Sequence, residues 1–169
     1  PALARVRARF DMQLRSDLPP VSRLVSHIES YRGKMLRPTL VLVCGLACPG
    51  ATIGHAHITL AAVCEMVHMA TLVHDDVLDE SATRRGGATV NELHGNESAV
   101  ILGDYLIASA YHLCSQLDAQ RLSLLVAHVS MTLCAGELLQ LSRRADFSLD
   151  EPTYFEIIKR KTASLVALS

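Results

Sequence analysis

An all-α fold is what the sequence predicts, and three observations carry that prediction. Apolar residues recur at helical spacing almost throughout, with no convincing alternating run that would make a strand. Short clusters of Gly, Pro, Asn and Ser separate those runs, as turns and caps require. Half of the 169 residues are hydrophobic and only 4% are aromatic, ample for one core, so residues 1–169 are expected to form a single domain.

The first helix is expected over residues 2–16, ended by "DLPP", and the second over 20–31, ended by "RGK". A third runs over 35–47 and stops at "CPGATIG". The fourth, 54–80, is apolar nearly all round its circumference, which places it in the middle of the core. "ATRRGGAT" closes it, and "LHGNE" separates a short helix at 89–94 from a long one at 97–117. Helices at 119–143 and 151–167 follow, divided by "DFSLDEP"; Asp150, Glu151 and Pro152 form a good helix start there. The last pattern is still apolar at Ser169 and has no C-cap, so the domain is expected to be C-terminally incomplete.

Charge and composition exclude several classes of function. A formal net charge of -1 and few aromatics argue against a nucleic-acid binder, which needs a basic excess or stacking rings. The apolar runs are interrupted short of the ~18 to 20 residues of a membrane span, so no transmembrane segment is expected. "HAHITLAAVCEMVHMATLVHDD", with Glu65 and several His and Thr, reads as a core helix. The N-terminus lacks a signal-peptide plan, and a chain starting at Pro1 is expected to have lost its natural start. Five cysteines (Cys44, Cys48, Cys64, Cys114, Cys134) lack the paired spacing of a zinc site. They read as buried free thiols of a reducing compartment, which points to the cytoplasm.

One stretch contradicts its surroundings. "HDDVLDES" puts Asp75, Asp76, Asp79 and Glu80 at the end of the apolar fourth helix. Asp75 and Asp79 lie one turn apart on one face, and Asp76 lies about 100° around the helix. Like charges repel at that spacing, and the C-terminal end of a helix already carries partial negative charge. A solvated acidic helix end is the ordinary explanation, but this helix belongs to the core. Carboxylates projecting from it into a cavity suit a metal better, and oxygen-only ligands on one face suit Mg²⁺ shared with substrate phosphates.

Two clusters have the opposite sign. "GKMLRP" sets Lys34 and Arg37 at a helix start beside Gly33, where the dipole also favours an anion. "TRRGG" puts Arg84 and Arg85 just past the acidic helix, followed by glycines that allow a sharp turn. His68 lies two turns before Asp75 on nearly the same stripe. His74, His94, His112 and His128 read as satisfied core histidines.

"GKMLRP", "EMVHMATLVHDDVLDES", "RRGG", "ILGDYL", "GELLQ" and "IIKRKTASL", in this order and spacing, resemble the trans-isoprenyl diphosphate synthases, or polyprenyl synthetases. The similarity runs over essentially the whole chain. It implies the class I isoprenoid-synthase fold, a helical bundle around a deep pocket, with this chain forming the N-terminal half or so. It also implies a reaction: an allylic diphosphate ionises, isopentenyl diphosphate attacks the cation, and a proton leaves.

By the same resemblance the catalytic acidic motif is Asp75, Asp76 and Asp79, with Asp75 and Asp79 binding Mg²⁺ directly. Arg84 would hold the allylic diphosphate, with Lys161 and Thr162 reaching it from another helix and Gln140 also lining the pocket. Isopentenyl diphosphate must not ionise, so its site would use Lys34, Arg37, His68 and Arg85, with Gly33 allowing close approach. Product length in the family is limited by bulky groups four or five residues before the first Asp, and here Ala70 and Thr71 are small. A long-chain product of about six or more isoprene units follows from the open pocket. The family's second aspartate-rich motif is not found after "KTASLVALS", so this chain alone is expected not to turn over. Homodimers are usual in the family, and some members work as two unlike subunits.

Three rivals have distinct signatures. A terpene cyclase shares the acidic motif but has no use for a separate cationic site. An HD-type phosphohydrolase would use His74 and Asp75 with His55 or His57 and a transition metal, leaving Asp79 and the arginines unexplained. A non-catalytic partner subunit would be expected to lose the acidic motif, which is intact here.

Overall fold

A computed structural model describes residues 1–47 and 49–169. Its element order is α1 (Ala2–Gln13), α2 (Pro19–His27) running into a 3₁₀ turn (Ile28–Tyr31), α3 (Leu36–Gly45), α4 (His55–Leu78), a two-strand hairpin, α5 (Val90–Ser115), α6 (Gln120–Ser142), α7 (Glu151–Ile158), a π-helical turn (Lys159–Ala163) and α8 (Ser164–Leu168). The all-α expectation holds, and each predicted helix is present within a few residues of its bounds.

α4 is the centre of the molecule. It packs against α1, α3 and α5 and touches α8, and Ala61 to Cys64, Met66, Met69, Ala70 and Val73 are sealed from solvent. An apolar surface on all sides leaves a helix no wet face, so other helices must surround it. His57 fastens its start, its ring Nδ1 accepting from the Gly54 N–H at 3.2 Å.

Three details depart from the sequence expectation. The segment 83–88 is a short antiparallel hairpin, β1 (Thr83–Arg84) with β2 (Gly87–Ala88), paired Thr83 to Ala88 and Arg84 to Gly87. Two residues per strand are too few to show alternation in the sequence. Arg85 and Gly86 turn it with φ of 52° and 82°, the left-handed pair that a two-residue hairpin loop needs. The helix expected at 151–167 is interrupted by the π-helical turn. The break predicted at "LHGNE" is present at Gly95 (φ 82°, ψ 160°) inside α5.

Burial corrects two further expectations. Cys64 and Cys114 are buried free thiols as predicted, but Cys44 and Cys134 are exposed; Cys48 lies outside the described residues. Of the four supposed core histidines only His74 is half-buried, its Nε2 donating to the Val100 carbonyl at 3.1 Å. His94, His112 and His128 are exposed, because an apolar helix at the edge of the bundle still has an outward side. Membrane-length expectations change as well: α4 and α6 are both long and apolar enough to cross a membrane. The most apolar stretch of α4 is 67% buried inside the protein, that of α6 only 22%.

Candidate functional site

A cavity of about 490 Å³ opens between the C-terminal half of α4, the middle of α5 and α6, and the π-helical turn. Its wall is apolar, with Val67, Leu72, Ile107, Leu133 and Leu141, while Arg37, His68, Asp75, Glu137, Lys161 and Thr162 bring polar groups to it. An apolar chamber with a few converging charges is the usual form of a small-molecule site.

The three aspartates divide by direction, as their helical spacing requires. Asp75 lines the cavity. Burial pushes its carboxyl above the usual carboxylate range; Lys161 opposes that shift, and the charges of Glu137 and Asp79 add to it. Asp79 is more exposed and accepts from Arg144 at 3.2 Å, while the same guanidinium holds the Leu78 carbonyl at the end of α4 (3.1 Å). Asp76 points the other way. It is 1% exposed and takes Arg84 through two faces, Nε at 2.9 Å from Oδ1 and 3.1 Å from Oδ2, with a second nitrogen at 2.8 Å.

Arg84 is thus committed within the protein. Its guanidinium also lies 5.8 Å from the centre of the Tyr31 ring, and the Tyr31 hydroxyl accepts from the Val90 N–H at 2.9 Å. Tyr31 is fully buried beside Asp76, and burial is the main reason its phenol is pushed up to about 12. The hairpin therefore splits neighbours by role: Arg84 turns inward to Asp76, and Arg85 turns towards Gly33.

Gly33 and Arg85 explain one another. A Cβ on Gly33 would stand 2.6 Å from an Arg85 nitrogen, closer than any real contact allows. Around this pair is a cationic bowl. His68 is half-buried and feels Arg37, Arg84 and Arg85; burial first, then those three charges, hold its imidazole down to about 4. Arg37 has a buried Nε with no acceptor in the protein. Lys34 is exposed on the turn leading to α3.

Glu65, which sequence reasoning passed over as a mere interruption of an apolar helix, lies one turn from His68 and is 4% exposed. Burial raises its carboxyl, while Arg37, Arg32 and Arg85 draw it back down. With Arg84 matched by Asp76 and Glu65 set against Arg37 and Arg85, the Arg37 Nε is left as a spare donor for an anion.

Lys161 and Thr162 reach the cavity from the π-helical turn. Lys161 Nζ is 2.6 Å from Glu137 and 3.9 Å from Asp75. Gln140 is not on the cavity wall; it donates to Glu137 Oε1 at 3.3 Å. Thr71 lines the cavity with its hydroxyl turned back to the His68 carbonyl (2.8 Å), whereas Ala70 is sealed in the core at 0% exposure. Glu137, Glu65 and Arg144 are the participants that the sequence reading missed; only Glu137, three residues from Gln140 on one face, left a visible signal.

Among the described residues no three His, Cys, Asp or Glu side chains converge tightly enough to cage a metal alone. The set nevertheless fits Mg²⁺, which keeps waters and shares one or two carboxylates with substrate phosphates. Asp75 and Asp79 are oxygen donors one turn apart, and the burial that chiefly raises Asp75, with the added repulsion of Glu137 and Asp79, is what a cation would offset. The phosphohydrolase reading fails on geometry: His57 and His55 start α4, about 27 and about 30 Å of helix away from Asp75.

Known proteins resemble the chain over nearly its whole length. The octaprenyl diphosphate synthase of Escherichia coli is 36% identical over 163 residues, covering 96% of this chain and 50% of that protein. The all-trans-nonaprenyl-diphosphate synthase of Rhodobacter capsulatus is 40% identical over 149 residues (88% and 46%). The heptaprenyl diphosphate synthase component 2 of Bacillus subtilis is 32% identical over 168 residues (97% and 47%). Among solved structures, a decaprenyl diphosphate synthase from Rhodobacter capsulatus superposes with a TM-score of 0.93 at 36% identity, covering 99% of this chain and 51% of that one. A Caulobacter crescentus polyprenyl synthase complexed with calcium and isoprenyl diphosphate gives 0.93 at 33% identity (99% and 50%). The chain spans about half the length of these relatives. The profile of the polyprenyl synthetase family matches residues 19–169, and with that match the chain belongs to the polyprenyl synthetase family.

Proposed function

We propose that this chain supplies the two diphosphate sites of a long-chain trans-polyprenyl diphosphate synthase, and that residues 1–169 act as one domain in it. The observation that carries the reading is one cavity whose wall brings Asp75 and Lys161 together with Arg37 and His68, the edge of a separate cationic bowl. A terpene cyclase would leave that bowl without a ligand.

On this reading Asp75 and Asp79 hold Mg²⁺ against the allylic diphosphate, and the metal supplies charge stabilisation for the departing diphosphate. Lys161 and Thr162 contact the same group. Arg84 acts through Asp76, fixing the end of α4. Isopentenyl diphosphate sits on Lys34, Arg37 and Arg85, next to Gly33, where neutral His68 has a nitrogen free to donate. That site offers no carboxylate pair, so nothing there assists ionisation. The apolar wall keeps water from the cation formed next door. Thr71, small and on the wall, leaves room below the acidic pair for a long chain, as the octaprenyl to decaprenyl relatives suggest.

Free thiols at Cys44, Cys64, Cys114 and Cys134 support a cytoplasmic setting, and a homodimer is the expected assembly. The second reading is a catalytic component that needs an unlike partner, favoured by the likeness to the Bacillus subtilis component 2. The test combines intact mass with an assay of the purified protein using labelled isopentenyl diphosphate, farnesyl diphosphate and Mg²⁺. Where the mass exceeds the 18.4 kDa of these residues, long polyprenyl products that vanish on chelation are expected; no incorporation by such a longer protein, alone or with added partner, sinks the elongation reading.

A further inference from the structure

Among the described residues, Glu137 is the one carboxylate on the cavity wall, besides Asp75, that faces Lys161. Its two oxygens are divided: Oε1 accepts from Gln140 at 3.3 Å and Oε2 from Lys161 at 2.6 Å. The backbone makes that meeting compulsory. Gly136 lies so near the π-helical turn that a Cβ would stand 2.7 Å from Arg160 Cβ and 2.9 Å from the Lys161 nitrogen. Glu137 and Lys161 therefore leave touching backbones side by side.

Lys161 has a choice of carboxylates. The 2.6 Å contact to Glu137 is a charge-assisted hydrogen bond, while 3.9 Å to Asp75 is only an ion pair at its outer limit. An ammonium on a flexible four-carbon stem turns readily to whichever acceptor remains. Asp75 is the carboxylate that the proposed function needs for a cation.

We propose that Glu137 is a positioning residue that holds the Lys161 ammonium against α6, keeping it off Asp75 so that this carboxylate stays open to a divalent cation. The inference rests on the reading of Asp75 as a cation-binding group. With Glu137 in place, Lys161 stands beside the cation's position, ready for a phosphate oxygen. Without it, Lys161 closes onto Asp75 and competes with the metal.

Simple loss of a negative charge would also weaken cation binding, so the test separates the two effects with a double-mutant cycle. Mg²⁺ alone is titrated calorimetrically into the full chain, as wild type, Glu137→Gln, Lys161→Met and the double variant. Glu137→Gln should weaken Mg²⁺ about fivefold or more in the wild-type background, and less than about twofold when Lys161 is already Met. The same factor in both backgrounds overturns the positioning role and leaves the proposed function standing. Failure of the wild type to bind Mg²⁺ even with pyrophosphate present overturns that function and this inference together.

Discussion

His68 shows most directly how surroundings decide what a residue can do. The same imidazole on an open surface would carry charge below about pH 6.5; here burial and the three arginines hold it neutral down to about 4. Between those values the unfolded chain binds a proton that the folded chain refuses, so stability falls as pH drops from about 6.5 towards 4. Replacing His68 by Gln should flatten the decline in unfolding midpoint over that window, measured by thermal melts at a series of pH values. An unchanged slope would mean that His68 is not held neutral by the bowl. Asp76 makes a related point about spacing. One residue from Asp75, it is turned about 100° away and spends its charge on Arg84, so adjacent aspartates of one motif do different work.

Elements meet through their smallest residues. α6 can press against the π-helical turn only because residue 136 lacks a side chain, and the lost helical register in that turn aims Lys161 and Thr162 at the cavity. π-type turns are uncommon and often stand at functional sites. Gly136→Ala places a methyl against backbone rather than a yielding side-chain tip, so strain of about 1–3 kcal/mol is expected. The variant should melt at lower temperature and bind pyrophosphate in the presence of Mg²⁺ more weakly. Equal stability and binding would show that the two elements can separate at little cost. Gly33 serves the hairpin in the same way, giving up its side-chain space to the Arg85 guanidinium.

Over the whole molecule, α4 is at once the core and one wall of the site. One side of it is packed by α1, α3 and α5, and another faces the cavity. Ala70 and Thr71 sit on either side of that boundary. Thr71→Phe should fill the cavity beneath the acidic pair and shorten the products, as read by chromatography of the dephosphorylated prenols. Ala70→Phe should instead overpack the core, at about 1–3 kcal/mol or more, and lower the melting temperature. Shortened products from the Ala70 variant with undiminished stability would place the chamber on the other side of α4.

Much of this architecture is legible in the sequence. Apolar spacing sets helices almost independently of context, so eight helical runs and the break at Gly95 could be read from local pattern and turn chemistry. The acidic motif stood out because charge at the end of an apolar helix has no local justification. Exposure of His94, His112, His128, Cys44 and Cys134 was not legible, since periodicity tells which residues share a face but not which face meets a neighbour.

The sequence by itself determined which residues could do chemistry: Asp75, Asp79, Arg37, His68 and Arg85 stand out by type and spacing, and Lys161 by the family resemblance of its motif. Only the tertiary structure decided how they are shared out. Arg84 is drawn to buried Asp76, Lys161 to Glu137 and Arg144 to Asp79, in each case across a separation in sequence that no local pattern encodes. Pairing of charges depends on distance in space and on the water excluded around them, and both quantities exist only once the helices have packed.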